Sequence, residues 1–548
     1  MLVIPFWYGL FYEYTAFFAG AILSIFLLVI LLQKKQIALY KSIPFYLYTT
    51  LILCYLLATL WAVDKEEAWQ GFLKFLPAIL LFLCLMQLEA KERSLLFTSI
   101  PLGGCIMCLL SYLLYWIPAI RPYLYSENGR LIGFFQYSNT FAMYLFIGYL
   151  ILWNKKDKHK IDYISFLVLL SGVVFSGSRT VFILLVLYTF YKLITLKLSK
   201  KKVLLLLLTF AIVMIVVTLV LQLTGNSNVI TRLFTISLQE STLLGRMIYN
   251  LDGLQLLVQH PLGMGYGGYA WAVNTVQTAD YQVKYVHNDI LQQGLDAGIV
   301  AMGLLLAIGI YGLCSKKLSK PQKEILIVLF LHLCMDFDLQ FLSMHFILVM
   351  AIFEENAPTK IFSVKSKILP CTATLLLFGT FLYLGIAMMA LQTDNLTLAE
   401  EMLPSNTKVQ VARLQKTNNL TQANAIADTI LAQNTYVSEA YSIKAAYAYQ
   451  HEQWEQMVSY QKQVIALNPY QIQNYEDYIL LLSSALENTI QQNQVERTEQ
   501  LVTYLLQVEE LLEQVKQRTN ALAYQTVDKP ELELKPELQN YLQKIKEE

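Results

Sequence analysis

Charged residues are scarce in this chain. They make up 15% of its 548 residues, whereas hydrophobic residues make up 56% and the mean hydropathy is +0.46. Soluble globular proteins carry roughly 25% charged residues, so the composition excludes a single soluble enzyme. The formal net charge of +1 leaves no basic surplus to neutralise phosphates, which excludes a nucleic-acid-binding protein. What remains is a membrane protein with an additional part.

Disulfide and metal frameworks are also missing from the sequence. All seven cysteines fall in or at the edge of apolar stretches, which excludes a disulfide scaffold. Cys105 and Cys108 have the spacing of a redox pair, but they lie inside an apolar segment, where small soft side chains pack between helices. His332 and His345 have no cysteine partner arranged for tetrahedral coordination, so we predict no metal site.

Long apolar runs are abundant instead. A helix needs about 20 residues to cross a bilayer, and we predict twelve such segments, at residues 10–32, 44–62, 72–88, 95–117, 132–153, 162–178, 180–196, 203–223, 289–313, 325–337, 339–354 and 369–391. The polar cluster of Asp336, Asp338 and Gln340 favours a hairpin that turns at the membrane interface. There the two aspartates either line a cavity or fix the hairpin tip. The first segment lacks a basic n-region and a cleavage site, which indicates a retained helix.

Loops rich in lysine and arginine alternate along the chain with loops poor in both. Clusters recur in every second loop, at residues 34–41, 91–93, 155–160, 197–202, 316–323 and 360–367. Because short loops rich in these residues stay in the cytoplasm, we predict that all six clusters lie on that side. The large loop at residues 224–287, both termini and the C-terminal part are then extracytoplasmic. The alternation supports twelve spans independently of hydropathy.

The chain changes character near Leu391. Residues 392–548 hold 12 basic and 21 acidic residues, a surplus of nine negative charges. One stretch of this part follows the spacing of the tetratricopeptide repeat (TPR), a helix pair of about 34 residues, at Trp454, Met457, Val464 and Pro469. Degenerate copies of the same spacing lie on either side of it. Stacked pairs of this kind present a concave face to a peptide or protein. The alternative is a plain helical tail that only buttresses the membrane domain.

The predicted fold class is therefore all-α. Residues 1–391 form a polytopic helical membrane domain of about twelve transmembrane helices, with its large outer loop at residues 224–287. Residues 392–527 form a TPR-like helical domain with a protein as its candidate partner. Residues 528–548 are charged and punctuated by proline, so we expect them to be loosely ordered.

Three basic residues are predicted at the outer face. Arg179 starts a helix in FSGSRT, Arg246 opens an amphipathic stretch in LLGRMIYN, and His287 ends the large loop in YVHND. The planar fork of a guanidinium matches phosphate oxygens, so two arginines suit a pyrophosphate. A histidine beside them accepts a proton from a sugar hydroxyl near neutral pH. Taken singly, Arg179 is equally an interfacial anchor, and Arg246 is equally a solvated helix residue.

The segment that follows Arg246 contains a histidine and a glycine-rich run. His260, in VQHPLGMGYGG, ends a predicted helix, and we assign it a capping or packing role. The glycines at 263, 265, 267 and 268 follow no strand and open no nucleotide-binding fold, so we predict a plain loop.

Four segments resemble the O-antigen ligase and O-antigen polymerase superfamily of polytopic bacterial membrane glycosyltransferases. They are GFFQYSNTFAMYL from Gly133, SGSRT with Arg179, GRMIYNLDGLQLLVQHPLGMGYGGY from Gly245 and VHNDILQQGLDAGIVA from Val286. The resemblance covers about residues 130–350, and its most specific part is the histidine segment with a glycine-rich turn upstream in one large outer loop.

The resemblance implies a fold and an activity. Such proteins have about twelve helices and transfer a glycan from a polyprenyl-pyrophosphate carrier on the outer face of the plasma membrane, without metal, nucleotide or other cofactor. By matching motif, Arg179 and Arg246 hold the pyrophosphate and His287 activates the acceptor hydroxyl. The supporting candidates are Asn139, Asn288 and Asp296. Asp296 stands where many relatives have Glu, and the aromatic residue after the Gly-Arg pair is displaced to Tyr249, which weakens any inference about how the acceptor is positioned.

Several functions stay open on the sequence alone. Ligases and polymerases share these motifs, so the acceptor is a glycan, a lipid or a protein. A transporter or flippase for polyprenyl-linked glycans is also polytopic, but charged residues in such a protein belong near the bilayer midplane. A membrane-anchored TPR scaffold leaves Arg179, Arg246 and His287 unexplained.

Overall fold

The computed structural model describes residues 2–34, 36–195, 200–226, 229, 241–363, 367–526 and 529–547. Helices dominate this part of the chain. Up to residue 226 they are α1 (Glu13–Gln33), α2 (Ile43–Ala58), α3 (Lys65–Gln87), α4 (Ala90–Leu114), α5 (Arg121–Leu124), α6 (Ser138–Asn154), α7 (Lys160–Ser176), α8 (Arg179–Thr195) and α9 (Lys200–Leu223). From residue 241 they continue as α10 (Ser241–Gln259), α11 (Gly268–Ala272), α12 (Asp289–Cys314), α13 (Lys320–Leu333), α14 (Leu342–Ala351) and α15 (Ile368–Gln392).

Each of the twelve predicted apolar segments overlaps one of these helices. Five of them, α1, α3, α4, α12 and α15, are long and apolar enough to cross a membrane by length and composition. Shorter apolar helices lie at Ile43–Ala58, Leu208–Leu223 and Leu342–Ala351. The protein is thus a helical membrane protein, and the count of twelve crossings stays a prediction.

The lysine- and arginine-rich loops meet at one end of the helix bundle, which we call the basic end. Strand β1 (Gln36–Tyr40) follows α1 and pairs antiparallel with β2 (Thr359–Ser363), so two of the six loops are hydrogen-bonded to each other. Arg93 lies 3.6 Å from Glu355, which joins a third loop to them. Lys192 near the end of α8 pairs with Glu324 at 2.7 Å. Residues 197–199 of the predicted cluster at 197–202 lie outside the described part.

Close helix contacts hold the first part of the bundle together. Helix α1 packs against α15 and α3, and Gly20 lies at a close approach of all three helices. A Cβ at Gly20 would lie 2.9 Å from Pro77 and 3.0 Å from Phe381. Larger residues at position 20 would therefore force the three helices apart.

The glycine-rich segment after α10 is a loop as far as Gly267, as predicted, whereas Gly268 is already the first residue of α11. This segment packs the large loop against α12. Helix α12 is interrupted at Gly298, which has φ 90°. Gly263, with φ 85°, fits against this break because a Cβ there would lie 2.5 Å from the Gly298 amide nitrogen. The amide of Gly265 donates to the Asp296 carbonyl at 3.0 Å, one of the carbonyls that the break frees.

Residues beyond α15 form a succession of amphipathic helices. They are α16 (Leu396–Met402), α17 (Thr407–Lys416), α18 (Leu420–Gln433), α19 (Ser438–Gln450), α20 (Trp454–Leu467), α21 (Ile472–Gln491), α22 (Val495–Arg518) and α23 (Pro536–Glu547). Neighbours from α17 to α22 pack on one another in sequence order. Trp454, Met457 and Val464, which carried the repeat pattern, are buried. Assignment of these helices to the tetratricopeptide class stays a prediction.

The charged C-terminal segment differs from the loose tail that we expected. Leu532 and Leu534 are buried in the same core as α20 to α22, and Leu542 of α23 is fully buried there. Lys535 pairs with Glu476 of α21 at 2.6 Å. Leucines recur in this segment at intervals of two or four residues. The expectation of a loose tail gave more weight to the charge and the prolines of the segment than to this periodicity.

The tail is docked on the membrane domain at the end opposite the basic loops. Lys408 of α17 lies 2.6 Å from Glu67 of α3 and 3.9 Å from Glu13 of α1. Asn406 donates to Glu66 at 2.9 Å. Both acidic partners of Lys408 are buried, so the tail supplies a cation to carboxylates that water reaches poorly.

A second contact joins the far part of the tail to the large loop. The Asn520 amide donates to the Thr278 carbonyl at 2.8 Å, and Asn274 donates to Asn468 at 2.8 Å. Ala523 is buried in the hydrophobic cluster formed by the loop itself. The large loop is thus held between α12 and the tail.

Candidate functional site

Asp336 lies at the centre of a polar group in the turn between α13 and α14. Its Oδ1 accepts hydrogen bonds from the Tyr137 hydroxyl at 2.9 Å and from the Phe337 amide at 3.0 Å. Its Oδ2 accepts from Asn139 at 2.6 Å and from Arg246 at 3.2 Å. The side chain is 1% exposed, so this carboxylate is a buried acceptor shared by three separate parts of the chain.

Arg246 reaches this carboxylate from α10. Its Nη2 forms the ion pair with Asp336, and its Nη1 donates to the Met335 carbonyl at 2.8 Å. The guanidinium is held in place but still 21% exposed. Helix α10 buries Ile248 and leaves Met247 half exposed, because its apolar residues cover more than one face. Arg246 is therefore fixed beside an apolar surface.

His287 lies on the other side of the same carboxylate. Its Nδ1 is 3.4 Å from Asp336 Oδ1, and its ring packs edge-on against Phe337 with centroids 4.9 Å apart. The backbone at His287 has φ 56°, a left-handed conformation that costs on the order of 1–3 kcal/mol in a residue with a Cβ. Asn288 caps the first amides of α12 and donates to Asn250 at 3.0 Å, and the Val286 amide donates to Gln292 at 3.0 Å, so both neighbours of the strained residue are fixed.

Asn139 connects this group to a second arginine that the sequence reasoning missed. Arg130 donates from Nη2 to Asn139 Oδ1 at 2.7 Å and from Nε to the Ser176 carbonyl at 2.8 Å. Arg179 is the first residue of α8 and is half-buried, directly after the turn that Arg130 contacts. The structure thus joins Arg246, His287 and Asn139 at one carboxylate and places Arg179 at the neighbouring turn.

Charge fixes the ionisation of the central pair. Burial alone would raise the pKa of Asp336, but the Arg246 guanidinium and His287 outweigh it and hold that pKa far below its usual value. Burial likewise opposes the charge on Arg246, and Asp336 reverses this by raising the arginine's pKa. Asp336 is therefore a carboxylate at neutral pH, able to accept from every donor around it.

Asp296, a predicted supporting residue, lies elsewhere. It is fully buried in α12, where its carboxylate accepts from Gln292 at 2.9 Å and faces the Tyr55 hydroxyl at 3.4 Å. Gln292 in turn accepts from the Val286 amide at 3.0 Å. Asp296 therefore does not contact His287. It orients Gln292, whose side chain binds the backbone amide of Val286, the residue just before His287.

The two histidines of the α13–α14 hairpin have structural partners. His332 pairs with Asp338 at 2.5 Å, and His345 contacts the Tyr48 hydroxyl at 2.7 Å. Asp338 also accepts from Thr140 at 2.7 Å. Of the two roles that we left open for the aspartates, fixing the hairpin tip fits Asp338. Asp336 instead joins Arg246 and His287 from behind the cavity, which it does not line. Within the described residues no His, Cys, Asp and Glu side chains are grouped as metal ligands.

A cavity of about 310 Å³ opens beside Arg246 and His287. Its wall is mixed, with Asn250 and Asn288 on the polar side and Leu243, Met247, Leu251 and Met335 on the apolar side. A site with two basic groups against an apolar wall suits a ligand that is an anion at one end and a lipid at the other.

The sequence carried partial signals for the residues that were missed. Asp336 belongs to a polar cluster between two apolar segments, a position that is expensive in a membrane and therefore informative. Arg130 precedes the segment that contains Asn139 by a few residues, but it had no helical or loop pattern to single it out. Tyr137 is one of 35 tyrosines, so only the structure distinguishes it.

Comparison with known families gives one match. Residues 164–306 fit the family model described as O-Antigen ligase. The matched segment contains Arg179, Arg246 and His287, and it ends before Asp336. No curated protein matches the chain.

Proposed function

We propose that this chain, whose residues 164–306 fit the O-antigen ligase family model, belongs to the O-antigen ligase superfamily and transfers a glycan from a polyprenyl-pyrophosphate carrier to an acceptor hydroxyl. The match to this family supports a membrane glycosyltransferase-like role in glycan biosynthesis. The carrier, the position at the outer face of a bacterial plasma membrane and the independence from metals and nucleotides are parts of the proposal.

The observation that carries the proposal is the pairing of Arg246 and His287 across Asp336 at the edge of one cavity. Arg246 Nη2 is 3.2 Å from Oδ2, and His287 Nδ1 is 3.4 Å from Oδ1 of the same carboxylate. A fixed cation and a histidine beside a carboxylate are the two groups that a displacement at a glycosyl phosphate needs.

The arginines act on the donor in this proposal. Arg246 and Arg179 bind the diphosphate, whose negative charge grows as the bond from the sugar's anomeric carbon to the phosphate oxygen breaks. A planar guanidinium offers two parallel donors to such oxygens. The apolar wall beside Arg246 receives the first part of the carrier's hydrocarbon chain, so the reactive carbon lies at the membrane interface.

His287 acts on the acceptor. With Nδ1 directed at Asp336, Nε2 is the nitrogen that accepts the proton of the attacking hydroxyl. The acceptor oxygen forms its bond to the anomeric carbon as the carbon-to-phosphate bond breaks, and the diphosphate leaves on its lipid. Asp336 stabilises the imidazolium that results, while Tyr137 and Asn139 fix the carboxylate.

The experiment is transfer of a carrier-linked glycan by the purified full chain in nanodiscs. His287→Ala abolishes transfer and retains carrier binding, whereas Arg246→Ala weakens binding. His260→Ala, on the same loop but outside the site, serves as the control. Equal loss of carrier binding in the His287 and Arg246 variants contradicts the division of roles. In cells lacking the protein, full-length polymer accumulates on the carrier if it is a ligase and single repeat units accumulate if it is a polymerase.

A flippase for polyprenyl-linked glycans is the second candidate, favoured by charged side chains inside the bundle. Lys74 of α3 is fully buried and donates to the Tyr266 hydroxyl at 2.8 Å. Movement of a labelled carrier-linked glycan across vesicles without an acceptor, abolished in Lys74→Met, supports this candidate over transfer. The third candidate is a scaffold whose tail serves chiefly to bind a protein. Deletion of that protein partner would then give the same phenotype as deletion of the whole chain.

A further inference from the structure

A cavity lies at the basic end, opposite the proposed transfer site. It has a volume of about 810 Å³ and is formed where α4, α6, α7, α13 and the loop after α14 meet. We call it the basic cavity. Its apolar wall includes Phe97, Leu102, Ile151 and Ile325, which come from the helices. Its polar rim comes from the loops, so the cavity is apolar along the helices and charged at their ends.

Positive charge is in surplus around this cavity. Five basic residues line it, Arg93, Lys155, Lys156, Lys316 and Lys317, against the two acidic residues Asp162 and Glu355. Lysines are expected in loops on the cytoplasmic side of a membrane protein. That rule alone predicts lysines spread over the whole cytoplasmic surface. Here residues from three loops, separated by long stretches of sequence, converge on one opening.

Internal ion pairs account for only part of this charge. Lys155 pairs with Asp162 at 2.8 Å, and Lys317 lies 3.6 Å from Glu354. Lys156 and Lys316 are exposed and form no ion pair within the described part of the chain. Two cations at the rim are therefore available to an anion from outside the protein.

Arg93 lies deeper in the same cavity. The residue is 7% exposed, and its guanidinium packs over the Phe353 ring, 5.2 Å from the centroid. Its Nε makes no hydrogen bond and is 3.6 Å from Glu355. A buried guanidinium N–H without an acceptor is costly unless a ligand supplies one.

We propose that the basic cavity binds the phosphate of an anionic phospholipid, with the acyl chains along its apolar wall. Basic pockets between helices at a membrane surface suit such headgroups. Arg93 donates to a phosphate oxygen from below, and Lys156 and Lys316 neutralise the phosphate at the rim. The exposed helix face beside the opening, where Leu102 is 52% exposed, gives the acyl chains access from the bilayer. This site is independent of the transfer reaction.

Native mass spectrometry of the full chain in detergent tests the proposal, with phosphatidylglycerol and phosphatidylcholine as probes. We expect phosphatidylglycerol to be retained in preference to phosphatidylcholine. The double variant Lys156→Ala/Lys316→Ala binds it about thirtyfold more weakly, because each cation at a membrane surface contributes about a factor of five. The control is Lys41→Ala/Lys91→Ala, which removes two exposed lysines at the same end that do not line the cavity.

A second variant separates a lipid from a free phosphate. Ser165 lines the apolar part of the cavity, and Ser165→Trp fills the space for acyl chains while leaving the cations in place. It blocks phosphatidylglycerol if the ligand is a lipid. Equal retention of both lipids, or equal weakening in the two lysine pairs, overturns the proposal. So does inorganic phosphate that displaces phosphatidylglycerol at millimolar concentration while Ser165→Trp has no effect.

Discussion

Replacement of Asp336 by asparagine tests the centre of the site with a nearly isosteric change. The carboxylate accepts from the Arg246 and Asn139 nitrogens on Oδ2, and from Tyr137 and the Phe337 amide on Oδ1. An amide has one oxygen, so Asp336→Asn turns an NH₂ group toward donors on one side or the other. Either orientation sets donor against donor and removes the negative charge that balances Arg246.

The size of the effect follows from the burial of these groups. Hydrogen bonds to a charged group contribute roughly 1.5–3 kcal/mol each, and breaking a buried ion pair costs about 3–5 kcal/mol. The 21% exposure of Arg246 lets water compensate for part of this loss. We therefore expect about 3 kcal/mol of lost transition-state stabilisation, which is on the order of a hundredfold in kcat/KM.

The assay is glycan transfer in nanodiscs with expression matched between variants. Asp338→Asn is the matched control, because it makes the same change in the same turn but affects His332 and Thr140 rather than Arg246 and His287. We expect transfer to fall far more in Asp336→Asn than in Asp338→Asn. Unchanged transfer in Asp336→Asn, or equal losses in the two variants, would refute the reasoning that places Asp336 in the site.

Three further outcomes are expected. Arg179→Lys inserts and folds normally yet loses transfer by roughly 1–3 kcal/mol, since lysine keeps the charge but not the bidentate geometry; full activity would make Arg179 an interfacial anchor. Cysteines engineered near Trp454 react with an impermeant reagent in intact cells, because the tail lies at the end opposite the basic loops; labelling only after lysis would mean that the number of spans is odd. The depressed pKa of Asp336 contributes stability above the unfolded value of about 3.9 that is lost as the pH falls further. Thermal unfolding of Asp336→Asn should lack that acid-dependent part, and an identical pH profile would contradict the ion pair.

The helices were predictable from the sequence, because apolar length and loop charge are local properties, whereas the roles of Arg179, Arg246 and His287 stay predictions. The sequence did not reveal the partner of Arg246, since Asp336 is 90 residues away and meets it only through the fold. Asp296 was placed with His287 by motif order, although one helical stretch turns its side chain into the bundle. The charged C-terminal segment was misjudged because Leu532, Leu534 and Leu542 find their core only once α20 to α22 are assembled.

The ion pair between Lys408 and Glu67 sets an order in biogenesis. Glu13 and Glu67 belong to helices that leave the ribosome early, whereas Lys408 follows the last apolar helix. During most of translation the Lys408 side chain, which contacts both carboxylates in the complete fold, has not yet been made. The membrane half therefore acquires its complete set of ion pairs only after its C-terminal extension has been made, and a chain that stops at α15 lacks the Lys408 contacts to Glu67 and Glu13.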